Sequence, residues 1–152
     1  MSTTITLPEH YGYVALAAVS TAFLTAWQAF SVVSNARKRA GIKYPQMYAD
    51  QSQVDKDPEA LKFNCAQRAH QNTLEVLPHV LFFIPFLGLR RPILAASLGA
   101  GWTFGRILYT LGYITGDPAK RNTRGGVLSS LAVAGLLFSS TYAAGELALG
   151  MW

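Results

Sequence analysis

The sequence contains two stretches that are too long and too apolar for an ordinary soluble domain. From Tyr11 to Ala36 there are 26 residues without a formally charged side chain, whereas about 20 helical residues suffice to cross the hydrocarbon core of a bilayer. A similar run from Gly125 to Gly145 has no charge over 21 residues. Because lipid offers backbone groups no hydrogen-bond partners, and the strict alternation of a barrel strand is absent, both runs predict transmembrane helices.

Two further runs are apolar but carry isolated polar residues. The first extends from Thr73 to Leu89 and ends at two arginines, and the second extends from Pro92 to about Gly116 and is interrupted by Arg106. We therefore expect an all-α, integral membrane four-helix bundle that forms a single domain over residues 1–152. Its four transmembrane helices are expected at about residues 11–36, 70–89, 92–116 and 125–145, with a long connection at about residues 37–63.

The charged side chains are few and unevenly placed. They make up 14% of the chain, against about 25% in an ordinary soluble domain, and eleven of the 21 lie between Arg37 and Arg68. A net charge of +5 that is spread over loops between apolar runs indicates membrane topology. It does not indicate a nucleic-acid-binding face, and we expect no nucleic-acid partner.

The positions of Lys and Arg also predict the orientation of the chain. With four spans, the termini and the hinge at Arg90 share one side and carry two of these residues, whereas the loops after the first and third spans carry ten. The positive-inside bias places those two loops in the cytosol and the termini in the lumen or the exterior. Since the first ten residues hold no Lys or Arg, we expect the first run to remain a span and not to be cleaved as a signal peptide.

Several polar residues lie in or beside the expected spans, where a charge costs roughly 2.5 to 3.5 kcal/mol on insertion scales. Helical spacing places them on two common faces. The first face, which His70 and Gln71 flank, carries Arg68, Asn72, Glu75 and His79, and the second carries Arg106, Tyr109 and Tyr113. Two such faces predict a polar pocket near the cytosolic end. The alternative interpretation is a buried pair of Glu75 and Arg106 that only fixes helix register.

Other chemistries lack their sequence motifs. The three His residues have no spacing that builds a zinc site, and no Gly-rich phosphate loop occurs. We therefore expect no metal. Cys65 is the single cysteine, so an intramolecular disulfide is excluded, and we interpret it as a packed thiol and not a reactive one.

Two motifs resemble those of a known family. The segment RAHQNTLE from Arg68 to Glu75, with Pro78 following, resembles the RAHxNxxE signature of the membrane-associated proteins in eicosanoid and glutathione metabolism, the MAPEG family. The segment GRILYTLGY from Gly105 to Tyr113 resembles the third-helix signature of that family. Length, four spans and a long first loop agree, so the resemblance covers nearly the whole chain. Within the family, FNCAQRAHQNTLE and LGYITGDPAKR are most similar to the type 3 microsomal glutathione S-transferases.

The resemblance implies a homotrimer that binds glutathione between adjacent subunits near the cytosolic face. The residues to which it assigns glutathione binding are Arg68, His70, Asn72 and Glu75 on the second helix, Tyr109 and Tyr113 on the third, and Arg37 or Lys38 at the end of the first. It also implies that an arginine shortly after the third helix is catalytic, because a nearby cation favours the reactive thiolate of glutathione. That stretch offers Lys120, Arg121 and Arg124, of which we choose Arg121.

The implied function is a membrane-bound glutathione transferase and glutathione peroxidase. Glutathione would be the co-substrate, and hydrophobic electrophiles or lipid hydroperoxides in the membrane lipid would be the other partners. Leukotriene C synthase activity is a weaker expectation, because Val76 stands where leukotriene C synthase places a tyrosine. The resemblance implies an endoplasmic reticulum (microsomal) location, with the outer mitochondrial membrane as the alternative. Two other functions fit the pattern: a non-catalytic lipid-binding scaffold of the same fold, and a small channel or transporter that uses Glu75 and Arg106 as a charge relay.

Overall fold

The computed structural model describes residues 6–151, and within that range the chain is helical, with no β-strand. The helices are α1 (Tyr11–Arg39), α2 (Gln51–Lys56), α3 (Pro58–Gly88), α4 (Pro92–Tyr113) and α5 (Asn122–Ala148). The prediction of an all-α fold is confirmed. By length and apolar composition, α1 and α5 qualify as candidate membrane spans, with mean hydropathies of 1.5 and 1.6.

Both the inner and the outer faces of α1 and α5 are apolar. Phe23, Phe30 and Phe138 each leave more than two thirds of their surface exposed on the isolated chain. A helix that is apolar all round is typical of a protein core or of a lipid environment. Since these side chains face away from the bundle, they favour contact with lipid or with another subunit.

The helix α3 is much longer than the predicted second span because it begins in the charged part of the sequence. Pro58 occupies the first turn, where its missing N–H is no loss, and the Asp57 carboxylate accepts the backbone N–H of Glu59 at 2.9 Å. The helix then continues through Pro78 and Pro85 to Gly88. The connection between α1 and α3 is therefore shorter than residues 37–63 and contains the short helix α2.

The core lies between α1, α3, α4 and α5. Its fully buried side chains include Val14, Val80, Ile84, Leu87, Trp102 and Leu136. Gly88 and Gly99 let the helices approach closely, because a Cβ at Gly88 would lie 2.5 Å from a Val14 methyl and a Cβ at Gly99 would lie 2.7 Å from a methyl of Ile84. Gly101, by contrast, has nothing within 4 Å of the position that a Cβ would occupy.

Tight packing also joins α4 to the beginning of α5. A Cβ at Gly105 would lie 2.7 Å from the backbone nitrogen of Ser129, and a Cβ at Gly125 would collide with the Gly105 carbonyl oxygen and the Leu108 side chain. The first five residues of α5, Asn122–Gly126, form a π-helical turn. This crossing fixes α5 and the hinge that precedes it against the last two turns of α4.

The bundle has two chemically different ends. At one end the C-terminal part of α5 and Met151 meet the hinge between α3 and α4: Arg91 pairs with Glu146 at 3.1 Å, and Arg90 donates to the Met151 carbonyl oxygen at 3.4 Å. At the other end the segment between α1 and α3 packs on α3 through a second apolar cluster that includes Val33, Ile42 and Phe63. The polar residues predicted to form a site lie toward this second end.

Candidate functional site

Three polar residues of α3 form a connected group. The Arg68 guanidinium donates from Nη1 to Glu75 Oε1 at 2.8 Å, and the Asn72 amide donates to Glu75 Oε2 at 3.1 Å. Arg68, Asn72 and Glu75 lie four and three residues apart, so that helical spacing alone brings them onto one face. Nearly half of the Arg68 and Glu75 side chains is exposed, which shows that this face lies on the outside of the single-chain bundle.

Arg106 links this group to α4. Its Nη1 donates to the Asn72 side-chain oxygen at 2.9 Å, and the residue is 6% exposed. The direct Glu75–Arg106 pair that we considered is not formed, because Asn72 lies between the two and Glu75 pairs with Arg68. The Nε of Arg106 is buried and has no hydrogen-bond partner among residues 6–151. Its positive charge is therefore not neutralised by a carboxylate in direct contact.

Aromatic rings continue the group along α4. The Arg106 guanidinium lies 4.7 Å from the centre of the Tyr109 ring, and the Tyr109 and Tyr113 rings meet edge to face at 5.6 Å. The Arg121 guanidinium lies 5.2 Å from the centre of the Tyr113 ring. We call this connected set the polar cluster: Arg68, Asn72, Glu75, Arg106, Tyr109, Tyr113 and Arg121.

The hinge between α4 and α5 and the first turn of α5 together offer three cations, and they differ in what they contact. Lys120 lies 3.8 Å from the carboxylate of Asp117, and Arg121 stacks on Tyr113 while donating to the Pro118 carbonyl oxygen. Arg124 is exposed, and its side chain makes no hydrogen bond or ion pair within the described chain. Of the three, Arg121 is thus the cation whose guanidinium adjoins the polar cluster.

Arg37 and Lys38, which the sequence suggested as further site residues, lie apart from the polar cluster. The Arg37 guanidinium donates to the Gln46 carbonyl oxygen at 2.7 Å and lies between the rings of Tyr44 and Phe63, at 4.2 and 4.5 Å. It holds the segment after α1 in place. Lys38 is exposed at the end of α1 and is the freer cation of the two.

His70 directs its Nδ1 toward the interior of the bundle and makes no contact with the polar cluster of its own chain among the described residues. Its Nδ1 lies 3.4 Å from the side-chain oxygen of Gln28 on α1. The Gln28 amide nitrogen contacts the hydroxyl oxygens of Thr73 at 3.0 Å and Thr110 at 2.7 Å. Sequence analysis missed this buried group. The one available signal was an amide side chain within an uncharged span, and such residues are used to join membrane helices.

A second missed contact ties the connecting segment to α3. The Tyr48 hydroxyl donates to the side-chain oxygen of Gln71, which lies one residue from Asn72. The Asn64 side chain also bonds both the N–H and the carbonyl oxygen of Ala49, at 2.8 and 2.9 Å. These contacts hold the segment against the same end of α3 that carries Arg68. Nothing in the local sequence of Tyr48 indicates a partner 23 residues away.

The fold and the polar cluster together define a class of helical membrane protein. Its cationic, hydrogen-bonding face lies on the lateral surface of the bundle, toward the end that carries the segment between α1 and α3. Comparison with known protein families matches residues 14–142 to the MAPEG family. The chain belongs to this family and is an integral membrane protein.

Part of the chain is also similar to a curated protein of no assigned activity. An uncharacterized protein from Synechocystis sp. is 43% identical over 74 residues, an alignment that covers 46% of this chain and 50% of that protein. The chain thus spans about half the length of this curated relative. Membership of the MAPEG family fits a membrane glutathione transferase or a related activity.

Proposed function

We propose that this protein is a membrane-bound glutathione transferase whose polar cluster binds glutathione. The observation that carries the proposal is the continuous set of contacts from Arg68 to Arg121, which combines three arginines with one carboxylate, one amide and two phenols. This composition suits a small tripeptide with two carboxylates, an amine and a thiol. Arginine forks recognise carboxylates, and the Glu75 carboxylate accepts from an ammonium group.

The charge balance of the polar cluster favours an anionic ligand. Arg68 is paired with Glu75, whereas among residues 6–151 Arg106 and Arg121 contact neutral groups only. In a partly buried site with a low effective dielectric, two uncompensated cations attract carboxylates and a thiolate more strongly than they would in water. Glutathione carries a net negative charge at neutral pH and matches this excess.

The exposed flank of the polar cluster supports association between subunits, for which we propose a homotrimer with four spans per subunit. An ion pair that is nearly half exposed on the side of a membrane helix is costly if lipid covers it. A neighbouring subunit removes that cost by enclosing the flank and completing the pocket. Glutathione then binds between subunits, where His70, Tyr109 and Tyr113 add further hydrogen-bonding groups, and the exposed Lys38 is available for a carboxylate.

In the proposed mechanism Arg121 activates the thiol. A free thiol with a pKa near ~8.5 is mostly protonated at neutral pH, and an adjacent guanidinium favours the thiolate. The thiolate sulfur attacks an electrophilic carbon of a hydrophobic substrate. A carbon–sulfur bond forms, the bond to the leaving group breaks, and the leaving group departs with the electron pair. For an epoxide the leaving group is an alkoxide of the same molecule, which then takes up a proton.

Reduction of a lipid hydroperoxide is proposed as a second use of the same thiolate. The sulfur attacks the terminal oxygen, the oxygen–oxygen bond breaks, and the resulting alkoxide takes a proton to give the alcohol. Glutathione leaves as a sulfenic acid, which a second glutathione converts to the disulfide and water. We propose that the enzyme is of the type 3 microsomal kind and lies in the endoplasmic reticulum, with the outer mitochondrial membrane as the alternative. Leukotriene C synthesis is a further candidate reaction.

Thiolate absorbance tests the mechanism. Stopped-flow mixing of glutathione with the full-length protein in lipid nanodiscs is expected to show thiolate formation at neutral pH. Arg121→Ala should raise the apparent thiol pKa by about one unit or more, since an adjacent opposite charge typically shifts a pKa by 1–3 units. Both the thiolate amplitude and the turnover should therefore fall by about tenfold or more at pH 7.

Arg124→Ala is the matched control, because it removes a cation only three residues away that makes no contact with the polar cluster, and it should leave both signals unchanged. Intact thiolate formation in both variants would overturn the assignment. If the wild-type protein binds no glutathione, the lipid-binding scaffold becomes the better interpretation. Ion flux in liposomes without transferase activity would point to the channel or transporter.

A further inference from the structure

Gln28 lies at the centre of the bundle and contacts two other helices. The residue is fully buried in the π-helical stretch Trp27–Val33 of α1. Its amide nitrogen lies 3.0 Å from the hydroxyl oxygen of Thr73 on α3 and 2.7 Å from that of Thr110 on α4. Its amide oxygen lies on the side of His70, 3.4 Å from Nδ1.

The two threonines determine which way the Gln28 amide points. A hydroxyl group has one proton, and each of these hydroxyls already donates it along its own helix, Thr73 to the Ala69 carbonyl at 3.0 Å and Thr110 to the Arg106 carbonyl at 2.8 Å. Toward Gln28 both oxygens act only as acceptors. The group of Gln28 that faces them must therefore be the NH₂, and the group that faces His70 must be the oxygen.

The orientation of the amide in turn determines the tautomer of His70. An amide oxygen accepts hydrogen bonds and cannot donate them, so the Nδ1 that faces it has to carry a proton. In a neutral imidazole the other nitrogen, Nε2, then has a free lone pair. Nε2 bonds no other residue of the described chain. It is thus left as an acceptor on the half-buried side of α3 and not on the face that carries Arg68 and Asn72, so its contact with glutathione has to be made across the proposed subunit interface.

We infer that Gln28 is a positioning residue that holds His70 in the Nδ1–H tautomer, so that Nε2 accepts a hydrogen bond from an N–H group of glutathione. This inference rests on the proposed function, because it assigns the ligand of Nε2. The positioning itself is a property of the protein without ligand. Gln28 does not contact the polar cluster. According to the inference it nevertheless determines which nitrogen of His70 donates a hydrogen bond and which accepts one.

The test is ¹⁵N NMR of the full-length protein with ¹⁵N-labelled histidine, in lipid bilayers above pH 8, where imidazole is neutral. Comparison with His70→Asn identifies the His70 signals. We expect a protonated Nδ1 and an unprotonated Nε2, and glutathione should shift the Nε2 signal toward that of a hydrogen-bonded acceptor. A protonated Nε2 in the wild-type protein would overturn the inference.

Calorimetry on the same samples separates the inference from the proposed function. If glutathione binds with a measurable heat but leaves Nε2 unchanged, the assigned contact is wrong while the proposed function stands. If calorimetry detects no glutathione binding, the proposed function fails, and the assigned ligand of Nε2 fails with it. In that case the Nδ1–H tautomer would still be observed if Gln28 positions His70.

Two variants test the role of Gln28 itself. Gln28→Leu removes the acceptor and should abolish the preference for Nδ1–H. Because that change is made in the core and can prevent folding, the double variant Thr73→Val, Thr110→Val provides a second route: it leaves Gln28 in place and frees its amide to rotate, and should give a mixture of tautomers. Gln51→Leu, at an exposed glutamine of α2, is the control and should leave the His70 signals unchanged. An unaltered tautomer in a folded Gln28→Leu protein would contradict the inference.

Discussion

At the scale of single residues, Asn72 joins the two halves of the polar cluster. Its amide donates to Glu75 on the same helix, and its oxygen accepts from Arg106 on α4. Each of these hydrogen bonds involves a charged partner, a kind that contributes roughly 1.5 to 3 kcal/mol. Asn72 therefore sets the position of one anion and one cation relative to each other.

Replacing Asn72 with alanine should weaken glutathione binding by about tenfold or more, because both charged partners lose a fixed hydrogen bond. We expect the change in KM for glutathione, measured in steady-state kinetics, while kcat changes less. Asn35→Ala is the matched control, since Asn35 is exposed on α1 and its side chain makes no hydrogen bond within the described chain. An equal effect of both substitutions would show that Asn72 is not part of the binding site.

The spacing of the sequence was sufficient to predict which residues of α3 meet, because Arg68, Asn72 and Glu75 lie on one helical face whatever surrounds them. It was not sufficient for His70 or Arg37. The neighbours of these two residues come from other parts of the chain, namely Gln28 for the first and the Gln46 carbonyl for the second. Such contacts depend on how helices pack, which periodicity within one helix does not determine.

At the scale of helices and loops, the apolar runs predicted where the helices lie but not where α3 begins. The charged connection contained helix signals that its composition obscured. Asp50 caps α2 by accepting the N–H of Gln53 at 2.9 Å, and the Gln53 side chain in turn accepts the N–H of Asp50. Asp57 followed by Pro58 starts α3. These capping residues are recognised signals for a helix start. The prediction did not use them because it followed hydrophobicity, which is low in this segment.

The crossing of α4 and α5 positions Arg121 relative to Tyr113, and it depends on Gly125. An added methyl at that position collides with the Gly105 carbonyl oxygen and with Leu108. Gly125→Ala should therefore destabilise the protein by about 1–3 kcal/mol, a typical cost of overpacking. Thermal unfolding in detergent should show a lower Tm.

The control for this prediction lies on the same helix. Gly145 has nothing within 4 Å of the position that a Cβ would occupy, so Gly145→Ala should leave Tm unchanged or raise it through better helix propensity. If both alanine variants lower Tm equally, the close approach at Gly125 is not a determinant of stability.

At the scale of the whole molecule, charge and packing agree on which ends of the helices belong together. The hinge between α3 and α4 meets the C-terminal end of α5 through Arg91 and Glu146, while the Lys- and Arg-rich segments lie at the opposite end. Sequence alone predicted, from the number of spans, that the hinge between α3 and α4 lies at the same end as the C-terminal end of α5. It did not predict the Arg91–Glu146 pair, because Glu146 follows the apolar run and joins the hinge only through packing.

Cysteine labelling tests whether all four long helices cross the membrane. In a Cys65→Ser background, Gln51→Cys should react with a membrane-impermeant maleimide from the cytosolic side, and Arg90→Cys and Met151→Cys from the opposite side. All three positions are exposed in the structure. Reaction of the residue 90 cysteine from the same side as the residue 51 cysteine would show that α3 and α4 do not cross.

The central claim is that the face formed by Arg68, Asn72 and Glu75 binds glutathione, and titration calorimetry in lipid nanodiscs measures this directly. Glu75→Gln removes the carboxylate that pairs with Arg68, and Glu59→Gln removes a carboxylate that pairs in the same way with Arg39 at 3.1 Å, away from the polar cluster. We predict saturable binding to the wild-type protein, a Kd raised about tenfold or more by Glu75→Gln, and an unchanged Kd in Glu59→Gln. Equal affinity in all three proteins, or no binding to the wild type, would contradict the account.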